Sequence, residues 1–193
     1  MAADCAVWCG VIKNTLSLGS SHLHLWWFMG KFKIGQKAVY PAQGVGEIEG
    51  IEKKEISGHK QSFYILRILD NDIRIMIPVD KAEVVGLRNI IDAKEANKVF
   101  NILKKRPKNV DSKTWNRRYR DYMCRIKTGS LFEVAAVVRD LYHRSQDKEL
   151  SFGERKMLDT ARTLLVTEMC FATSRETKSI EKRIEKLLER KPK

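Results

Sequence analysis

The hydrophobic period of this chain changes once, near Gly86, and that change restricts its fold more than any other feature. Ahead of it, residues 32–78 read as strands. "KAVYP" (37–41), "GVGEIEGIEKKE" (44–55), "QSFYILRIL" (61–69) and "DIRIMIP" (72–78) are rich in β-branched and aromatic residues and are separated by the turn-like "AQG", "SGH" and "DND". In the second segment Val45, Ile48 and Ile51 interleave with glutamates, and Gly50 marks a bend or bulge. In the fourth, Ile73, Ile75 and Ile77 alternate with Arg74 and Met76, giving one apolar face. Four or five short strands in so short a stretch predict a small closed barrel, because closure removes exposed strand edges.

Beyond Gly86 the apolar spacing becomes helical. Three segments open on a capping pattern, an Asp or Ser with Glu three positions on: Asp92 with Glu95, Ser130 with Glu133, and Ser151 with Glu154. "SIEKRIEKLLER" places Ile180, Ile184, Leu187 and Leu188 on one stripe. With a further segment over 115–127, the second half is predicted to be an all-α domain of about five helices. The fold class is therefore α+β. The expected boundaries are an extension over 1–31, a β-barrel over 32–88 and a helical domain over 89–190.

Charge is distributed unevenly along this frame. The chain carries a formal net charge of +13, and segment 104–127 alone holds ten basic and two acidic residues. A solvated helix face mixes signs, so a cluster of this kind points to a polyanionic partner. Within it, Trp115, Tyr119, Tyr122, Met123 and Ile126 form one helical stripe, with Arg117 and Arg120 opposite and Arg118 and Arg125 on its flanks. Two readings of Trp115 stand. It is the first core residue of an amphipathic helix, or, lying at the start of that helix beside Ser112 and Thr114, it is left uncovered to meet nucleic acid. In the second case the arginines hold phosphates while the ring stacks on or wedges against a base.

Other functional classes find little support. His59 and His143 lie in different halves, and no Ser/His/Asp set or phosphate-binding loop is present. "GVGEIEG" enters a strand, unlike a dinucleotide fingerprint. The chain is read as a non-enzyme with no cofactor. The four cysteines (5, 9, 124 and 170) form no paired framework; Cys124 and Cys170 are expected as buried thiols, which suits a reducing cytoplasm. No apolar run approaches the ~18–20 residues that span a bilayer. Residues 1–28 lack a basic export signal and share no periodicity with the rest, so they read as an upstream extension, with Met29 a candidate start. Cys5, Cys9, His22 and His24 within that extension have loose spacing for zinc and are not taken as a metal site.

"FKIGQKAVYPAQGVGEIEGIE", "IPVDKAEVVGLRNII", "WNRRYRDY", "VAAVVRDLYHR" and "LSFGERKMLDTAR", in this order, resemble the CarD/CdnL family of bacterial transcription regulators, from about Phe32 to Leu188. The resemblance implies an N-terminal Tudor/SH3-like barrel that docks on the β subunit of RNA polymerase. It also implies a helical domain that touches promoter DNA at the upstream edge of the bubble and stabilises the open complex. The family's wedge tryptophan aligns with Trp115, and its basic DNA contacts with Arg117, Arg118, Arg120 and Arg155. On the barrel, a polymerase-binding arginine aligns with Lys54. A second aligns with Met76, where the charge is lost and Arg74 stands two residues away as a substitute. The implied protein is a cytoplasmic monomer without membrane attachment. The alternatives are an architectural DNA-binding protein acting without polymerase, and an adaptor whose basic helix merely packs. A related barrel occurs in transcription–repair coupling helicases, but this chain is too short and has no P-loop.

Overall fold

A computed structural model describes residues 31–56, 59–107 and 114–189. The expected extension over 1–28, its candidate start at Met29 and the Cys/His set within it lie outside the described residues. Phe32–Lys193 forms one compact unit.

The strands are β1 (Lys37–Tyr40), β2 (Gly44–Ile56), β3 (His59–Ile68), β4 (Arg74–Pro78) and β5 (Arg88–Asn89). They form one sheet in the order β4-β3-β2-β1-β5, with every neighbouring pair antiparallel. The register of β2 against β3 shifts between Ile48 and Gly50, which is the bulge that Gly50 predicts. On both sides of the bulge, Tyr64, Leu66, Ile68 and Ile77 turn inward with Phe32 and Ile48 as a buried core. Phe32 meets the Tyr64 ring edge-on at 5.9 Å and donates its backbone N–H to the phenol oxygen at 3.2 Å. Ile73 differs from expectation: it precedes β4 and is exposed, because the apolar face begins only at Ile75.

The closed barrel is also corrected. Among the described residues the ladder ends at β4 and β5, which do not pair with each other. β5 is two residues long, and its Arg88 side chain is engaged by the helices, so the sheet packs onto them instead of closing on itself.

The helices are α1 (Ala93–Leu103), α2 (Trp115–Lys127), α3 (Leu131–Asp147), α4 (Phe152–Thr173) and α5 (Thr177–Glu189). Their core gathers Val99, Leu103, Leu141, Leu165, Met169 and Ile184, among others. Two of the three capping boxes form, at Asp92/Glu95 and Ser151/Glu154. The third does not. Ser130 makes no side-chain cap bond, and the reciprocal half is lost because the Glu133 carboxylate is drawn to Arg125 at 2.7 Å, a stronger charge-assisted contact, while the Ser130 N–H donates to Thr128 Oγ1 at 3.3 Å. On α5, Ile180, Ile184 and Leu188 are buried, with Leu187 half-buried against them. No described helix is long and apolar enough to cross a membrane.

Sheet and helices meet along a polar seam. Arg88 donates to both oxygens of Glu168 on α4, at 2.6 and 2.9 Å, and its Nε donates to the Gly129 carbonyl at 2.8 Å. Glu168 is 2% exposed. Pro41 lies against Gly129, whose φ of +72° suits glycine and where a Cβ would stand 3.0 Å from the proline Cγ. Lys37 stands 5.3 Å from the centre of the Phe171 ring on α4.

Removing one partner of a buried ion pair strands the other charge, at a cost of ~3–5 kcal/mol. The Arg88 side chain keeps 29% exposure, so water reaches the seam and lowers that cost. Arg88→Ala is expected to cost about 2–3 kcal/mol, measured by urea unfolding. An unchanged midpoint would show that the seam contributes nothing.

Candidate nucleic-acid interface

The interface is built from the first turns of α2 and α4. The Thr114 cap residue of α2 is extended and makes no side-chain cap bond, so the tie of this helix start to its surroundings comes from the residues that follow. The buried side chains of α2 are Arg118, Tyr122 and Ile126. The covered face is thus rotated from the predicted stripe toward Arg118. Met123 is half-buried and Tyr119, expected in the core, is 42% exposed.

Trp115 is half-buried. Its ring meets Tyr119 at 5.4 Å with 61° between planes. The indole also lies over Gly153, where a Cβ would stand 3.0 Å from Cζ2, so any side chain there would press on the ring. The sequence alternatives for Trp115 therefore resolve into a middle case: one part of the indole packs, another faces solvent.

Around it, Arg117 and Arg120 are exposed, with the Arg120 Nε donating to the Asn116 carbonyl at 3.3 Å. Arg155 lies in the first turn of α4 and is exposed, and its side chain reaches Glu149 at 3.5 Å. Phe152, the first residue of α4, is 83% exposed. Sequence reasoning missed it. The available signal was its position between the Ser151 cap and Gly153, where a helix start leaves a large side chain uncovered.

Arg118, expected as a DNA contact, lies on the covered face of α2. It is 8% exposed and donates to Glu154 Oε1 at 3.1 Å, while Arg144 Nε donates to the same oxygen at 3.0 Å. Arg125 is likewise engaged, by Glu133 and Asp140. Among the described members of the basic segment, Lys104, Lys105, Arg106, Arg117, Arg120 and Lys127 are exposed, so part of its charge serves the fold and the rest faces outward. Tyr122 is a core phenol, pushed up to about 12 by burial and the nearby Asp140. Cys124, expected as a buried thiol, is exposed, and Cys170 is half-buried.

On the sheet, Lys54, Arg74 and Met76 lie on one outer face, across β3. The Lys54 ammonium approaches the Met76 sulfur at 3.2 Å and Glu52 at 3.4 Å. Arg74 pairs with Glu49 at 2.7 Å, sharing that carboxylate with Arg67. Met76 is 49% exposed. Lys54 thus places a cation beside the position that the methionine leaves uncharged. Among the described residues no His/Cys/Asp/Glu group is arranged to hold a metal ion.

The comparisons with known proteins cover both the sheet and the helical bundle. The model of the CarD-like/TRCF RID domain matches residues 32–91, and that of the CarD C-terminal domain matches residues 98–185. The chain is 36% identical over 138 residues to "Putative transcription factor YdeB" of Bacillus subtilis (strain 168), covering 72% of this chain and 90% of that protein. Among solved structures, CdnLNt from Myxococcus xanthus is 61% identical over 33% of this chain and 90% of its own, with a TM-score of 0.28. The 72-residue N-terminal domain of Myxococcus xanthus CarD is 27% identical over 40% of this chain and 93% of its own, also with a TM-score of 0.28. The chain belongs to the CarD family of transcription factors.

Glu154 gives the interface a pH dependence. Burial alone would raise its carboxyl, but the Ser151 amide and hydroxyl, Arg118 and Arg144 more than offset this, and its pKa is lowered from 4.5. A carboxyl lowered in the folded state contributes stability in full above its unfolded value, and loses it as pH falls through the lower folded one. Thermal melts between roughly pH 6 and roughly pH 3 are expected to show this loss, and Glu154→Gln to lack that component. Parallel curves for the two proteins would refute the assignment.

Proposed function

We propose that this protein docks on the β subunit of RNA polymerase through the outer face of its sheet and holds promoter DNA at the upstream edge of the bubble through the starts of α2 and α4. The sheet region (32–88) carries the docking residues Lys54, Arg74 and Met76. The helical region (89–190) carries Trp115, Arg117, Arg120 and Arg155, with Phe152 added by the structure. Arg118 is withdrawn from the contact set because its guanidinium is spent on Glu154. The protein acts as a monomer in the cytoplasm, with largely sequence-independent DNA contacts.

The observation that carries this reading is the Trp115 ring, half-exposed on the Gly153 shelf at the start of a helix whose open face carries the exposed Arg117 and Arg120. Phosphate contacts position a protein on DNA without reading sequence, while an inserted ring favours an unstacked step over intact duplex. A factor that binds melted promoter better than closed promoter shifts the equilibrium by that difference, and typical couplings are about 1–3 kcal/mol. Contacts this modest suit a protein whose polymerase anchor raises the local concentration of its DNA-binding part.

Promoter-opening kinetics with purified polymerase test the reading directly. Trp115→Ala is expected to leave the helices folded and shorten the open-complex lifetime about tenfold, equivalent to about 1.4 kcal/mol. Unfolding of the variant would return Trp115 to the core. Arg117→Ala and Arg120→Ala are expected to weaken DNA contact across sequences and each lower the salt slope by about one. In a pull-down of polymerase, wild type is expected to recover the β-containing core and Lys54→Glu to lose it. Failure of the wild type itself would favour an architectural DNA-binding protein working without polymerase.

A further inference from the structure

We propose that Glu154 is a positioning residue of this face, whose single carboxylate registers the first turn of α2 against the first turn of α4 and so sets where the Trp115 indole sits. The inference rests on the DNA reading above for its functional consequence, but its geometric content stands alone.

The two oxygens of Glu154 serve different elements. Oε2 accepts the Ser151 backbone N–H and the Ser151 hydroxyl, both at 3.0 Å, which closes the start of α4. Oε1 accepts Arg118 from α2 and Arg144 from α3, at 3.1 and 3.0 Å. Four donors on a carboxylate that is 4% exposed leave it no alternative orientation.

Arg118 lies one turn after Trp115, so fixing its guanidinium fixes the rotation of the helix start about its own axis. The cap residue Thr114 supplies no side-chain bond that would do the same. Gly153, the residue before Glu154, forms the wall under the indole, and Tyr119 closes its edge. Ring, wall and anchor are thus tied through one side chain, in the manner of an outer residue that holds a contact residue in place.

A glutamine cannot replace the acid here. It offers one acceptor oxygen and an NH2 group, and that NH2 must face either the Ser151 donors or the two arginines. A purely stabilising Glu154 would lower the melting temperature and leave the indole unmoved while the chain stays folded. A positioning Glu154 moves the indole in the folded chain.

The test uses the full chain with Trp8, Trp26 and Trp27 changed to Phe, which leaves Trp115 as its one tryptophan. In this background Glu154→Gln, held at a temperature where circular dichroism shows it folded, is expected to red-shift the Trp115 emission and raise its quenching by acrylamide. Unchanged emission and quenching in the folded variant overturn the proposal. Should Glu154→Gln not fold, Arg118→Lys is read in the same assay. It keeps a cation beside the buried acid but loses the planar fork.

With polymerase, Glu154→Gln is expected to shorten the open-complex lifetime about fivefold, the low end of typical couplings. The salt slope of duplex binding should not change, since Arg117, Arg120 and Arg155 remain in place. A lifetime that falls for Trp115→Ala but not for Glu154→Gln counts against the positioning role. A lifetime that falls for neither removes the DNA reading, and the fluorescence result then judges the positioning claim by itself.

Discussion

The buried pair between Arg88 and Glu168 is the contact on which the arrangement of the molecule rests. β5 is too short to hold itself to the rest of the sheet by backbone pairing alone, with two register partners on β1. Its position is fixed from the other side, where Arg88 grips Glu168 bidentately and the Gly129 carbonyl at once. The pair is buried on the Glu168 side, where desolvation of the carboxylate offsets part of its attraction. What it provides is direction: a bidentate fork accepts one relative placement of strand and helix. Pro41 packed on Gly129, and Lys37 near Phe171, add to the same placement.

Glu154 and Glu168 stand in a common relation to the chain. Both are acids on α4, both are buried, and both are held by arginines from other elements. In a protein of net charge +13, such acids convert part of the repulsive excess into internal ties. The remaining arginines stay outside. The division between the two groups follows helix geometry: Arg118 lies on the covered face of α2, Arg117 and Arg120 on the open one.

Much of this was legible in the sequence. The period change located sheet and helices, Gly50 marked the bulge, and the Asp92 and Ser151 boxes marked two helix starts, because each of these signals is local. The failures were long-range. Closure of the barrel depended on what β5 meets, and its partner on α4 is 80 residues away. The Ser130 box was lost to a competing arginine. Arg118 looked like a surface cation because its buried acid lies 36 residues on. Tyr119 looked like core because an aromatic stripe gives the helix face without saying how far cover extends. Phe152 had no periodic partner to draw notice, and only its surroundings show how uncovered it is.

Exposed aromatic side chains such as Phe152 and Tyr119 ordinarily make a surface adhesive, and two copies of it would tend to stick. The same two helix starts also carry the exposed Arg117, Arg120 and Arg155, and their like charge repels a second copy while attracting a polyanion. The arginines thus act as a colloidal guard over apolar rings that need to stay open. Because that repulsion is screened within about 10 Å at 0.1 M salt, the guard weakens with rising ionic strength, in step with any phosphate contacts the same side chains make. Solubility and the proposed nucleic-acid binding would draw on one set of charges and could not be tuned separately.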